Sequence, residues 1–312
     1  MIVGHKKQWE FLKRAFRLKR VPHGLLFYGQ EKLGKRTLAL EFIKLINCQN
    51  ENFSLRPCHK CVSCKEIEKT THPDFTLIEP IKKQIQISQI RDLSLRLASK
   101  PSLGFFKSGI IDQAHLMSHE AQSCFLKTLE EPKGKTILIL ITEYLQRLLP
   151  TILSRVQKIK FYPVKKEVIE DYLISQGLSR KKAQEISAVS FGKPGRAIDF
   201  FLTPSKLEDQ NKKIAELVKI CDSPLFFRFQ YIKDLSLEFD DLKEMLEIWL
   251  TYFRRKLLKT TGIQQSVTND SRLRYSLPKL KTIVQLIQDT IFYISTTNVN
   301  PRLALEILML EL

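Results

Sequence analysis

Four cysteines lie close together in the sequence, at Cys48, Cys58, Cys61 and Cys64, with the spacing C-x9-C-x2-C-x2-C. Four thiolates can surround a tetrahedral Zn²⁺ ion, and two-residue gaps let short turns direct neighbouring sulfurs toward one point. Disulfide bonds are the competing explanation, but a chain in the reducing cytoplasm keeps its cysteines as thiols. The spacing therefore predicts a structural zinc module at 48–64, with four protein ligands and no open position for catalysis.

A second chemical pattern precedes the cysteines, where the sequence reads GQEKLGKRT. Gly29, Gly34 and Lys35 fit the phosphate-binding form GxxxxGK[ST], in which backbone N–H groups and the lysine contact phosphate oxygens. The next position should carry a hydroxyl group that holds Mg²⁺, but Arg36 occupies it and Thr37 follows one position late. A cation there opposes the metal. For so short a motif, a chance Gly/Lys turn is the alternative.

An apolar run at 109–111 ends in Asp112. In ATPases with a phosphate-binding loop, a strand of this kind ends in Asp-Glu, where the aspartate holds the metal ion's shell and the glutamate polarises the attacking water. In this sequence the second position is Gln113, which cannot accept the proton of that water. The sequence therefore lacks the hydrolytic base as well as the magnesium-binding hydroxyl.

Strands and helices that alternate along the chain are expected to position these residues. Apolar runs predict strands at 25–28, 75–78, 109–112 and 136–142 and an alternating strand through 159 and 161. Helices are predicted at 6–20, which is basic and amphipathic, at 37–46 directly after the loop, and after Ser118 as an N-cap. The stretch 84–98 is predicted to be a short strand or turn followed by a helix. The pattern is that of a parallel α/β sheet.

From about residue 165 the composition becomes helical. A small helical region is interrupted by the Gly-Lys-Pro-Gly segment at 192–195, and a Thr-Pro-Ser break at 203–205 opens a second helical region. Apolar periodicity in that region predicts helices at 214–220, 242–258, 277–294 and 301–310, with a polar loop at 260–272.

The totals place the chain among folded proteins with a large core. It has 312 residues, of which 43% are hydrophobic and 27% charged, enough for about two or three domains. The longest apolar run, 137–141, is far too short to cross a membrane, and no secretion signal is recognised, so we expect a cytoplasmic protein without a membrane partner. The net charge of +18 favours proximity to a phosphate backbone, with a solubilising surface as the alternative.

Together these motifs resemble the bacterial DNA polymerase III clamp-loader AAA+ family, and within it most closely the delta prime subunits. The resemblance covers residues 1–205 and is carried by HGLLF from His23, GQEKLGK from Gly29, the four cysteines, THPD from Thr71, IIDQA from Ile110, LKTLEEP from Leu126 and TILSR from Thr151. It implies an α/β AAA+ domain with a P-loop-type parallel sheet and an inserted zinc module at 1–164. A small helical lid domain at 165–205 and an all-α collar domain for oligomerisation at 206–312 are expected to follow.

The resemblance also assigns roles to individual residues. Arg155, in the Ser-Arg motif, is expected to be a trans arginine finger that reaches the γ-phosphate held by a neighbouring motor subunit. The family's motor subunits carry a lid arginine near the position of Gly195; this chain has Lys193-Pro194-Gly195 instead, with Arg196 one position along. The degenerate loop with Gly29, Gly34, Lys35 and Thr37 is then expected to be vestigial, so that ATP is not bound productively.

The expected function is that of a non-hydrolysing delta prime-like subunit. It assembles with gamma or tau and delta subunits and helps to load the sliding clamp onto primed DNA, with Zn²⁺ as a structural ion. One alternative is an ATP-hydrolysing gamma/tau-like motor in which Thr37 takes over the Mg²⁺ position. Another is a zinc-dependent DNA-binding module, but 48–64 holds only Arg56 and Lys60 as basic residues. For Arg155, the simpler alternative is an ion pair with a surface acid.

Overall fold

The computed structural model describes residues 2–81, 83–235, 239–260, 275–297 and 299–312. The predicted loop at 260–272 lies, except for Thr260, outside the described residues. The chain divides into two compact units, Met1–Phe201 and Leu202–Leu312. Within the described ranges, no helix combines the length and the apolar character that a bilayer crossing requires.

The first unit is built around a parallel sheet. In the described part of the chain its strands are β1 (Gly24–Tyr28), β2 (Phe75–Ile78), β3 (Lys107–Ile111), β4 (Thr136–Thr142) and β5 (Gln157–Lys160), in the order β2-β3-β4-β1-β5. Every pairing is parallel, with Gly24 opposite Leu138 and Lys107 opposite Thr136. The predicted strands are confirmed. β1, β3 and β4 are apolar runs buried between two layers of helices, whereas β5, at the edge of the sheet, alternates and buries only Ile159.

Helices cover both faces of this sheet. On one face lie α1 (Lys6–Arg17) and α2 (Lys35–Asn47), and on the other lie α4 (Ile87–Leu97) and α5 (His119–Glu130). The short helices α3 (Val62–Glu68) and α6 (Pro150–Leu153) lie in the connections. An apolar core lies on each face of the sheet, and successive residues of a strand point into opposite cores. Phe27 and Ile139 pack with α1 and α2, and Leu26 and Leu140 pack with α4 and α5.

Local sequence signals explain where several helices begin and what they bury. Leu12 of α1 is fully buried, and Trp9 and Phe16 pack beside it, as the amphipathic pattern predicts. The hydroxyl of Ser118 accepts the backbone N–H of Ala121 at 3.1 Å, which confirms the predicted N-cap of α5.

Three helices complete the first unit: α7 (Lys166–Ser175), α8 (Arg180–Ser190) and α9 (Pro194–Leu202), the last of which ends at the boundary. This region joins the α/β part through backbone contacts. Val164 donates its N–H to the carbonyl of Gly192 at 2.8 Å. The division of this unit into an AAA+ domain and a lid stays a prediction.

The second unit is helical throughout its described residues. It contains α10 (Pro204–Cys221), α11 (Leu225–Asp234), α12 (Phe239–Thr260), α13 (Leu277–Thr296) and α14 (Pro301–Glu311). Trp249 and Phe253 of α12 and Ile287 of α13 lie in its own apolar core. Helix α11 was not predicted, because its run LFFRF has no polar face with helical spacing and exposes three large apolar side chains.

Candidate functional site

The glycine-rich segment forms a tight loop between β1 and α2, at the carboxyl edge of the sheet. Gly29 has a φ of 144°, and a Cβ atom on it would lie 2.6 Å from the backbone oxygen of Phe161, so only glycine fits. Gly34 has a φ of 90° and is the residue before the first turn of α2. The backbone thus has the strand–loop–helix form that phosphate-binding loops use.

Lys35 is buried within this loop, with 7% of its surface exposed. Its Nζ donates to the carbonyl oxygens of Gly29, at 2.7 Å, and Gln30, at 2.5 Å. Burial lowers the pKa of Lys35 to about 8, against the opposing attraction of Glu143 and Asp112. The ammonium group is therefore already engaged by the loop's own carbonyl groups.

Arg36 connects the loop to the ends of two neighbouring strands. Its Nη1 donates to Oε1 of Glu79, one residue beyond β2, and lies 3.4 Å from Oδ2 of Asp112, one residue beyond β3. Burial raises the pKa of Asp112, and the charge of Arg36 counteracts this effect. One guanidinium nitrogen thus contacts two carboxylates at the place where a metal-dependent ATPase needs a cation.

Two other predicted positions lie beside this ion pair. Gln113 adopts a left-handed backbone, with a φ of 51°, and its N–H donates to Oδ1 of Asp112 at 2.9 Å. Thr37 lies in the first turn of α2 and is exposed. Sequence reasoning identified Arg36, Asp112 and Gln113 but missed Glu79, because nothing in the local sequence at that strand end marks it as a partner of the loop.

The start of α9 contacts the same glycine-rich loop. The N–H of Gly195 donates to the carbonyl oxygen of Lys32 at 2.9 Å, and a Cβ atom on Gly195 would lie 3.0 Å from that oxygen. Lys32 Nζ lies 2.5 Å from Oδ2 of Asp199. Gly195, near the position where a motor subunit is expected to carry its lid arginine, is therefore in backbone contact with the loop. Asp199 was not predicted, since it lies more than 160 residues away in sequence.

Arg155 lies apart from this network, just after α6. Its Nη1 donates to the carbonyl oxygen of Thr151 at 3.1 Å and to the hydroxyl of Ser154 at 3.2 Å, and its Nη2 lies 2.8 Å from Oε1 of Glu130. The Arg155 side chain is 38% exposed. These contacts orient the guanidinium at the surface. The pair with Glu130 also fits the alternative stated for Arg155, an ordinary ion pair with a surface acid.

The four predicted metal-binding cysteines converge. Their sulfur atoms all lie within 4.8 Å of one another, so the four thiolates are grouped closely enough to be ligands of a single Zn²⁺ ion. The N–H of Cys61 donates to the Cys58 sulfur at 3.4 Å, and the N–H of Cys64 to the Cys61 sulfur at 3.5 Å. Such bonds stabilise thiolates, so the donor set suits a metal ion.

Comparison with known proteins agrees with this geometry. The sequence model of the family described as "DNA polymerase III, delta subunit" matches residues 4–165, which is more than half of the chain. The chain belongs to this family. It is a family of clamp-loader AAA+ proteins, and the resemblance stated from the sequence is confirmed, including its delta prime-like character.

Delta' and tau subunits of DNA polymerase III match this chain over different lengths. The DNA polymerase III subunit delta' of Bacillus subtilis is 29% identical over 270 residues, covering 84% of this chain and 77% of the relative. The delta' subunit of Pseudomonas aeruginosa is 38% identical over 135 residues, which cover 43% of this chain and 41% of the relative. The tau subunit of Bacillus subtilis is 32% identical over 168 residues, which cover 54% of this chain and 30% of the relative.

A solved structure shows the same fold. The gamma subunit-related protein of DNA polymerase III from Thermotoga maritima aligns with a TM-score of 0.53 and 20% identity, covering 97% of each chain. At this identity the likeness establishes the fold alone. It agrees with the predicted parallel α/β architecture.

Proposed function

We propose that the chain is a delta prime-like, non-hydrolysing subunit of the DNA polymerase III clamp loader. The observation that carries this proposal is the arrangement around Arg36, whose guanidinium faces both Asp112 and Glu79. Hydrolysis requires Mg²⁺ beside this aspartate and a base after it, and the chain has an arginine and Gln113 instead. Lys35, bonded to the carbonyls of Gly29 and Gln30, is also withdrawn from phosphate.

The chain's contribution to ATP hydrolysis is then made in trans. Arg155 is partly exposed, oriented by Thr151 and Ser154, and held by one acid, Glu130. An arginine presented in this way can reach the γ-phosphate on a neighbouring motor subunit and stabilise the charge that develops in the transition state. The exposed pair with Glu130 is weak enough to be exchanged for a phosphate.

The four cysteines are proposed to hold a structural Zn²⁺ ion. Cys48, Cys58, Cys61 and Cys64 supply four thiolates, so the ion would have no free position for substrate or water. When bound, the ion would cross-link the end of α2 with the start of α3. It would stabilise the segment 49–62, whose residues are all exposed or half-buried.

The proposed role requires partners. A delta prime-like subunit assembles with gamma or tau and delta subunits, and the complex acts on the sliding clamp and primed DNA in the cytoplasm. The unit from Leu202 to Leu312 is the proposed collar that joins the subunits, and 165–205 is the proposed lid. The matches to delta' and tau subunits support a place in this complex.

The competing function is that of a gamma/tau-like motor, which is supported by the match to tau over about half of the chain. A motor must bind Mg·ATP tightly and hydrolyse it, with Thr37 as the metal's hydroxyl. Isothermal titration of the isolated chain with Mg·ATP, together with a phosphate-release assay, separates the two functions. The proposal expects no turnover, and micromolar affinity with turnover would favour the motor. Co-purification with motor and delta subunits then tests assembly.

A further inference from the structure

The contacts of Arg36 are unusual for a surface arginine because one nitrogen contacts two acids that follow different strands. Nη1 contacts Glu79 after β2 and Asp112 after β3, and these strands are neighbours in the sheet. The two carboxylates therefore face the same point at the carboxyl edge. Two carboxylates directed at one point repel each other unless a positive charge lies between them.

Exposure distinguishes this arrangement from an ordinary surface ion pair. The Asp112 side chain is only 16% exposed, whereas those of Arg36 and Glu79 are 43% and 51% exposed. An exposed pair contributes little because water solvates both charges. A carboxylate that is largely shielded from water, such as that of Asp112, depends on its cation much more strongly.

We propose that the Arg36 guanidinium is a built-in cation, which occupies the position of a divalent metal between Asp112 and Glu79 and thereby excludes Mg²⁺ from a site whose acidic ligands are still in place. Carboxylates are ligands that Mg²⁺ accepts, usually one or two of them together with water. Removal of the guanidinium therefore exposes a latent metal site. This inference rests on the proposed non-hydrolysing function and specifies the residue that enforces it.

The test is thermal unfolding of the full chain with and without Mg²⁺. Arg36→Thr restores the motif GxxxxGKT and removes the guanidinium that contacts the two acids. We expect its melting temperature to fall below that of the wild type in EDTA and to rise by about 3 °C or more at millimolar MgCl₂, because an ion that binds only the folded state stabilises it. The wild type should respond no more to MgCl₂ than to NaCl of equal ionic strength.

Two further variants make the outcome specific. Arg36→Thr combined with Asp112→Asn should lose the response to Mg²⁺, and Arg36→Lys, which keeps a cation, should behave like the wild type. Arg36→Gln, closer in size to arginine, replaces Arg36→Thr if the threonine variant does not fold. The inference is overturned if neither the threonine nor the glutamine variant gains a Mg²⁺ response, or if the wild type responds equally. Such a failure leaves the proposed function standing, since that function is tested separately, on the wild-type chain, by Mg·ATP titration and phosphate release.

Discussion

The guanidinium of Arg155 lies 2.8 Å from the carboxylate of Glu130, so the arginine that is proposed to act on a neighbour is paired within its own chain. Glu130 is the last residue of α5, and Arg155 follows α6. Both side chains are more than a third exposed, at 38% and 47%. The pair therefore orients the Arg155 side chain while leaving it exposed to solvent.

Glu130→Gln tests whether this pair is only a resting contact. An exposed ion pair contributes at most about 1 kcal/mol, so the free energy of unfolding should change by less than that amount. The ATPase rate of a loader reconstituted with this variant should be unchanged or higher, because Arg155 no longer has to leave an acid. A large loss of ATPase activity would mean that Glu130 positions the arginine for the reaction.

The cysteine cluster predicts one zinc ion per chain. Cys58→Ser removes one of the four converging ligands, so metal analysis of the purified protein should show a fall from about one equivalent toward zero, with a lower melting temperature. Cys124→Ser is the matched control, because Cys124 lies outside the cluster and should leave the zinc content unchanged. Wild-type protein purified without metal, and equally stable in strong chelator, would argue against the structural zinc.

A buried carboxylate should make the first unit sensitive to acid. Burial alone would raise the pKa of Asp74, but the N–H groups of Gly104, Ser102 and Leu103 and the ammonium of Lys107 together hold it well below its usual value. A depressed pKa contributes stability that is present above the unfolded-state pKa of about 3.9 and is lost as pH falls through the lower folded-state value. Urea unfolding should therefore show falling stability below about pH 4.

Asp74→Asn should reproduce this loss at neutral pH. The change leaves Lys107 buried without its counter-ion, at a cost of about 3–5 kcal/mol. Asp92→Asn, on the exposed side of α4, is the control and should change the free energy of unfolding by less than about 0.5 kcal/mol. Equal stability of the two variants at pH 7 would contradict the proposed importance of the Asp74 contacts.

The contact between α9 and the loop predicts protection of one backbone amide. Gly195→Ala places a Cβ atom 3.0 Å from the carbonyl oxygen of Lys32, so the 195 N–H should exchange its hydrogen faster than in the wild type. Asp199→Asn should have a smaller effect, because the pair that it breaks is exposed. Hydrogen exchange followed by mass spectrometry measures both variants, and unchanged protection in Gly195→Ala would show that this contact is not maintained in solution.

The sequence predicts local features of this protein better than its long-range contacts. The strands and the cysteine cluster follow from apolar runs and ligand spacing, which are local properties. Arg36 is readily recognised as a departure from the motif. Its partner Glu79 is not, because that pairing depends on which strand ends lie side by side in the sheet. The Lys32–Asp199 contact depends in the same way on how the chain returns to the loop.

We propose that the chain acts on ATP hydrolysis through Arg155 and not through its own loop. The direct test is the DNA-stimulated ATPase rate of a loader reconstituted with Arg155→Ala or with Lys35→Ala, each first shown to fold and to retain its zinc. Arg155→Ala should lower the rate at the site that it serves by about tenfold or more, with Arg155→Lys restoring little because lysine lacks the bidentate fork. Lys35→Ala should cost far less. An unchanged rate with Arg155→Ala, or a larger loss with Lys35→Ala, would contradict this role of Arg155.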